Sequence, residues 1–422
     1  MTVYDTPKLP IPEPLRGSDP GSFAERTVKE RLPNILRTTL ELNPFHEKAK
    51  RRLEKLIQEI PYATIRQLGP SYAPDLEAWR GYIRPHLSQN WLEAPWFFVE
   101  NYMYRRVLEA TNYFERRAGR GIDPFQEQKE RELQANLPVL NELAEWINQQ
   151  AASWKAERTV ETLAQALVRA VWGNQGDLSM WPGAGRPDLA DDSQASRLLV
   201  NDAERAARYL FAEDDHSKRV DFINDNVGEE LLNDLVLADL LLTSGKIAEV
   251  RFHTKAYPTF VSDALPKDVL HTFEVMQASD SQQVRDWVGR LNGYQEAGRL
   301  RLREHFFWNT PLAGWEMPPR LKAELGEADL ILSKGDANYR RFVGDRHWEA
   351  TAPLSGVLRY LPAPFLAVRV LKAEVLVGVP QSVVENARSA DPDYLSDGRW
   401  GVIQFAPVGH ESGDGDREGG SL

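Results

Sequence analysis

RVDFINDNVGEELLNDLVLADLLL, residues Arg219–Leu242, is where strand, turn and helix follow one another most openly in this chain. Val220, Phe222 and Ile223 give a short alternating strand, and Asp225-Asn226 stand directly at its carboxyl end. Gly228 supplies the turn, and Glu229-Glu230 open a helix of leucines and alanines, the acidic start that a helix amino terminus favours. A carboxylate and an amide at that position make an oxygen-rich corner. Such a corner suits a hard divalent cation and the phosphate it would hold.

On both sides of this stretch the pattern changes character. Residues 1–20 carry five prolines and are expected to form an extended arm. From Ser22 to about Ala170 apolar residues recur every three and four positions, as in HEKAKRRLEKLIQEI, which predicts helices. Aromatics crowd Pro95–Phe114, a pattern usual in a core, with Glu100, Tyr104 and Arg105 as polar members that could lean into a pocket. Residues 173–195 are rich in turn formers; in GNQGDLS, Asn174 and Asp177 read first as helix-capping residues.

Beyond that loop, strands are expected at Leu198–Val200, Val220–Asn224, Ile247–His253, Leu330–Ser333, Phe365–Val370, Val375–Val379 and Val402–Phe405. Helices fit Ala203–Leu210, Glu229–Thr243, Lys267–Ala278 and Ser281–Glu296. This alternation predicts an α/β fold: a three-layer α/β/α sandwich with a mostly parallel sheet, preceded by an N-terminal all-helical region. The boundaries follow as 1–190 for the helical region with its Pro-rich arm, 191–408 for the α/β/α domain, and 409–422 for a Gly/Asp-rich disordered tail.

Composition narrows the functions. The 422 residues hold no cysteine, which excludes disulfides, thiolate nucleophiles and thiolate zinc sites. A net charge of −11 disfavours a general nucleic-acid binder, because no basic surplus exists to neutralise phosphates. No apolar run is long enough to span a bilayer and no secretory signal pattern opens the chain, so a cytoplasmic location without a membrane partner is the expectation. Oligomeric state leaves no trace in the sequence.

Three segments join Asp225-Asn226 as chemistry carriers: KAYPTFVSDAL (Lys255–Leu265) with Ser262-Asp263, SKGDANYRR with Lys334, Asp336, Asn338, Tyr339 and Arg340, and RVLK with Arg369 and Lys372. Each follows or overlaps an expected strand, and ligands in open α/β sheets collect at the carboxyl ends of strands. Two like charges 4 Å apart repel by about 4 kcal/mol at an effective dielectric of 20, so Asp225, Asp263 and nearby Glu230 would need a compensating cation. All-oxygen ligands favour Mg or Mn over zinc, and Lys334, Arg340, Arg369 and Lys372 would serve a phosphoryl group. Each piece alone has an ordinary explanation as a cap or a turn; their co-occurrence carries the reading. His253 reads as a packed sheet residue, and Gly183–Gly185 follows Trp-Pro, not a strand, so it makes a poor dinucleotide fingerprint.

Taken together, YMYRR, GNQGDLS, LLVND, RVDFINDNVGEE, FVSD, KGDANYR, RVLK and GVIQF resemble the damage-control phosphatase family, in particular its eukaryote-type subfamily, also described as acidic-residue methyltransferases. The resemblance covers most of the chain, in order. It implies one divalent metal ion (Mn, Ni, Co or Mg) held by Asp225, Asn226 and Asp263. Glu230, Asp336, Asn338, Tyr339, Arg340 and Lys372 would surround a small phosphorylated sugar such as fructose 1-phosphate or fructose 6-phosphate. Two departures concern substrate rather than metal: Val370 stands where the subfamily's RTxK has a small polar residue, and Thr259 where a Trp precedes FVSD. Two rival readings stand beside it. One is an S-adenosylmethionine-dependent protein-glutamate carboxyl methyltransferase, opposed by the lack of a glycine-rich turn after any expected strand. The other is a non-catalytic interaction module, opposed by the intact acids.

Overall fold

A computed structural model describes residues 5–115, 121–152, 159–173, 196–212 and 217–407. Seven strands, β1 (Leu198–Asn201), β2 (Lys218–Ile223), β3 (Ile247–Thr254), β4 (Leu300–Glu304), β5 (Leu330–Lys334), β6 (Phe365–Val370) and β7 (Gly401–Ala406), form one sheet in the order β1-β7-β6-β5-β2-β3-β4. All neighbours are parallel except β6 and β7, which run antiparallel. After β2 the chain moves outward through β3 and β4; after β5 it moves the other way through β6. The β2/β5 pair, in register from Val220↔Leu330 to Ile223↔Ser333, is therefore a switch point of the sheet.

Side-chain alternation divides each central strand between two cores. Ile223, Ile331, Phe365 and Ala367 face a core built with the helices of residues 32–110, including Trp79, Trp96 and Tyr102. Val220, Phe222, Leu330, Leu332, Leu366 and Val368 face the opposite core with the Leu137–Ala152, Thr159–Trp172, Ala203–Phe211, Glu229–Thr243, Pro266–Gln277 and Gln282–Glu296 helices. The expected α/β class with helices on both faces and at the N-terminus is what the chain forms. Both cores draw on residues from before and after position 190.

The Glu229–Thr243 helix is apolar all round because it is covered all round: it lies against β3 and beneath the Leu137–Ala152 and Thr159–Trp172 helices. Its two interior acids are matched, Asp239 by Arg290 at 2.7 Å and Asp234 by Lys334 at 3.1 Å. The N-terminal arm is extended and tied down, with Lys8 N donating to Gly356 O (2.8 Å) and residue bridges Pro14↔Arg346 and Arg16↔Pro95.

Two strand expectations change. Val375–Val379 is apolar enough for a strand but forms none, because side chains and the Ala350 and Ala352 carbonyls take its backbone groups. Arg369 donates to the carbonyls of Val375 (2.5 Å) and Ala373 (3.2 Å), Gln404 Nε2 to that of Val377 (2.7 Å), and Val377 N donates to Tyr339 Oη (3.2 Å). Conversely β4, LRLRE, is an edge strand whose two leucines are too few to announce it. The segment Asp336–Val343, expected only as a strand end and turn, is a helix capped by Gly335 and closed by Gly344 at φ +81°. Most of GNQGDLS, Gly183–Gly185 and the tail from Gly409 lie outside the described residues.

Candidate active site

The chain leaving β2 does not pass straight into its helix. It is first stitched to the segment that follows β3. Asn224 N donates to His253 O (3.1 Å), Ala264 N to Asp225 O (2.8 Å) and Val227 N to Ser262 O (2.8 Å), and Asn226 pairs with Asp263 as an isolated bridge. Two acids far apart in sequence are thereby fixed by main-chain bonds. The loop that presents Asp263 is strained: Phe260 and Val261 have φ of +56° and +61°, a region unfavourable for bulky and β-branched residues. Aromatics of the Trp96–Ala110 helix brace it, Tyr104 at 5.2 Å and Phe97 at 6.3 Å from the Phe260 ring. Of the three polar members expected from that helix, Tyr104 meets this loop, Glu100 meets Arg340, and Arg105 pairs with Asp75.

The polar network is continuous. Asn226 Nδ2 donates to Asp225 Oδ2 (2.9 Å) and Glu230 Oε2 (2.9 Å), while Ser262 Oγ donates to Asn226 Oδ1 (2.6 Å). Lys255 Nζ lies 3.0 Å from Asp263 Oδ2 and 3.3 Å from Asn338 Oδ1. Asn338 Nδ2 in turn donates to Asn224 O and Lys334 O, both at 3.0 Å, joining the ends of β2 and β5. Asp225, Asn226, Glu230, Lys255, Asp263, Asn338 and Lys372 are all buried. Burial, then the charges of Asp263 and Glu230, raise the Asp225 carboxyl well above its usual range, against the pull of Lys255 and Lys372.

Lys255 is the residue that sequence reading missed. Its signal was positional: it follows the last residue of β3, as Asp225 follows β2, inside a segment already singled out for Asp263. Other expected residues take supporting posts. Lys334 Nζ sits 3.0 Å from Glu230 and 3.1 Å from Asp234, beneath the acids, so its charge is answered by protein carboxylates. Asp336 Oδ1 accepts from Arg369 (2.9 Å to Nε) and from the Lys372 amide (3.1 Å), so this pair anchors the turn that carries Lys372. Tyr339 packs its ring 4.2 Å from the Arg369 guanidinium and donates to Gln404 (3.1 Å). Arg340 is turned to Glu100 and Asp345, both at 2.7 Å, with its guanidinium 3.5 Å from the Trp96 ring centre. It ties the helical layer to the Asp336–Val343 helix. His253, 3.1 Å from Asp221, is the packed sheet residue it was expected to be.

The donor set of Asp225, Asn226 and Asp263 fits a hard dication. Burial and then two like charges hold Asp225 toward its neutral form, which a cation would reverse. Gly335, at φ +78°, keeps space clear beside it: a Cβ there would stand 1.8 Å from Asp225 Oδ2. Among the described residues no group of three or more His, Cys, Asp or Glu is placed to hold a metal ion, and the expected donor set would be two acids and one amide. Such a set leaves the remaining positions to water and to substrate oxygens.

Fold and site together define an α/β protein with an oxygen-rich, lysine-lined cluster at a sheet switch point. The chain belongs to the damage-control phosphatase ARMT1-like family, whose domain model, "Damage-control phosphatase ARMT1-like domain", matches residues 27–387. It is similar to the curated Damage-control phosphatase ARMT1 of Mus musculus (32% identical, covering 93% of this chain and 98% of that one). The Danio rerio and Homo sapiens proteins of the same name are 31% and 30% identical, each over 94% of this chain and 97% and 98% of their own. Among solved structures, a DUF89 family protein of Pyrococcus horikoshii aligns over 88% of this chain and 95% of its own, at 13% identity and a TM-score of 0.47. No helix among the described residues is long and apolar enough to cross a membrane.

Proposed function

We propose that this chain is a divalent-metal-dependent phosphatase acting on small sugar phosphates of the fructose 1-phosphate or fructose 6-phosphate type, within metabolite damage control. The observation that carries the reading is the joining of Asp225-Asn226 to Asp263 by main-chain bonds, with Lys255 and Lys372 acting on the same acids. Membership of a family named for damage-control phosphatases supports it.

Asp225, Asn226 and Asp263 would hold Mn, Ni, Co or Mg, which would supply positive charge to a phosphoryl group. Lys372 and Lys255 hold phosphate oxygens and balance the charge that spreads over them in the transition state. Asn338 fixes Lys255, and Asp336 with Arg369 fixes the backbone beneath Lys372. Asp225 or Asp263 accepts the proton or attacks phosphorus; in either role each must be ionised near a cation.

The test is metal-stripped protein assayed on a sugar-phosphate panel with each ion added back. Asp225→Ala and Asp263→Ala should each abolish metal-stimulated phosphate release with circular dichroism unchanged; retained activity in both removes the assignment. The methyltransferase reading is checked by calorimetry, since tight S-adenosylmethionine binding to metal-stripped protein would favour it.

A further inference from the structure

A cavity of about 870 Å³ opens in the helical layer between the Glu47–Glu59 helix, the loop around Tyr72 and the end of the Trp96–Ala110 helix. Its walls carry six cations (Lys48, Arg52, Lys55, Arg66, Arg105 and Arg106) against three carboxylates, in a chain of net charge −11. The pairing is uneven. Arg66 is matched by Glu109 (2.7 Å), Arg106 by Glu59 (2.6 Å) and Arg105 by Asp75 (3.1 Å). Lys48, Arg52 and Lys55 have no ion-pair partner among the described residues, and they occupy one helix face at i, i+4 and i+7. The carboxylate best placed to quench Lys55, Glu59 at i+4, is turned to Arg106 instead.

Three cations spaced over about 10 Å of helix match a chain of phosphates better than a single one. Arg52 is fixed by Asn112 Oδ1 at 2.7 Å. Tyr72, 60% exposed, stands at the rim as a flat apolar surface for a planar ring. The cavity volume lies within the usual range for small-ligand sites.

The floor reaches the strained loop. Arg105 lies 4.6 Å from the Phe114 ring centre, and Phe114 packs edge-on to Tyr257 at 5.4 Å. Tyr257, held by Trp79 Nε1 at 3.1 Å, is two residues from Lys255. We propose that this cavity binds a nucleoside polyphosphate, its phosphates along Lys48, Arg52 and Lys55 and its base against Tyr72, and that occupancy rigidifies the Lys255–Asp263 loop.

Calorimetry on the full chain in chelator, with ATP, ADP and inorganic tripolyphosphate, tests binding independently of any phosphatase activity. ATP should bind, and the combined Lys48→Glu, Arg52→Glu and Lys55→Glu variant should bind roughly tenfold or more weakly, the scale of losing charge-assisted contacts. Tyr72→Ala should weaken ATP but not tripolyphosphate. Lys55→Glu alone, an exposed change, should cost several-fold and covers the case of a triple variant that does not fold. Hydrogen exchange across residues 255–264 should slow with ATP in the parent chain only. No ATP binding at millimolar concentration, or equal affinity in the charge-reversed variants, overturns the site. Tripolyphosphate binding as tight as ATP removes the base-stacking role, and unchanged exchange removes the coupling.

Discussion

At Gly335 a single missing carbon matters. Any Cβ there would overlap Asp225 Oδ2, and φ +78° already excludes most side chains. Gly335→Ala should lower phosphate release roughly a hundredfold by displacing Asp225, a loss on the scale of a 1 Å misplacement, while a thermal melt still shows a folded protein. Asp225 itself makes a second prediction. Its folded-state pKa is raised above the unfolded value of about 3.8, burial first and then Asp263 and Glu230, so the native state holds the proton more tightly. The stability this confers is present below that value and is lost as pH rises towards the folded pKa. In chelator, Asp225→Asn should therefore melt higher than the parent at pH 8 with the gap closing towards pH 4, and Mn should raise the parent alone. A pH-independent gap would sink this account. The acids were legible in the sequence because each followed an apolar strand; Lys255 escaped notice because one lysine in a loop has no pattern of its own.

Among the elements, the strands whose apolar runs met the sheet on both faces were readable: β2, β5 and β6 are buried along their whole length. The lost strand has one physical source, competition for backbone hydrogen bonds, whereas β4 carries too few apolar residues to announce itself. Val375–Val379 looks like β6 in composition, yet the Arg369 fork and Gln404 claim its carbonyls before a neighbouring strand can. Arg369→Lys should thus cost about 3 kcal/mol in chemical denaturation, since a lysine cannot reach Asp336 and two carbonyls at once. It should also raise KM for a phosphorylated substrate by loosening the turn at Lys372. The Phe260-Val261 turn invites the opposite experiment. Val261→Gly removes backbone strain of about 1–3 kcal/mol and a buried side chain of similar worth, so the melting midpoint should move little. Turnover should nevertheless fall, because Asp263 loses the stiff turn that aims it.

For the molecule as a whole, the helical region is not an appendage. Residues 32–110 form one wall of the first core and the Leu137–Trp172 helices one wall of the second. Expression of residues 191–407 alone should give aggregated protein by size exclusion, with both sheet faces stripped of their cover. A monodisperse, cooperatively melting fragment would contradict this. The first core runs from Leu15 to Ala406 in a single cluster. During synthesis its early aromatic helices leave the ribosome well before β5 and β6 exist to receive them, so the nascent chain must carry an unmated greasy surface through most of its translation. Slow ribosomes, premature stops or scarce chaperones would turn that wait into self-association, which makes biogenesis, more than the finished fold, the vulnerable period for this protein.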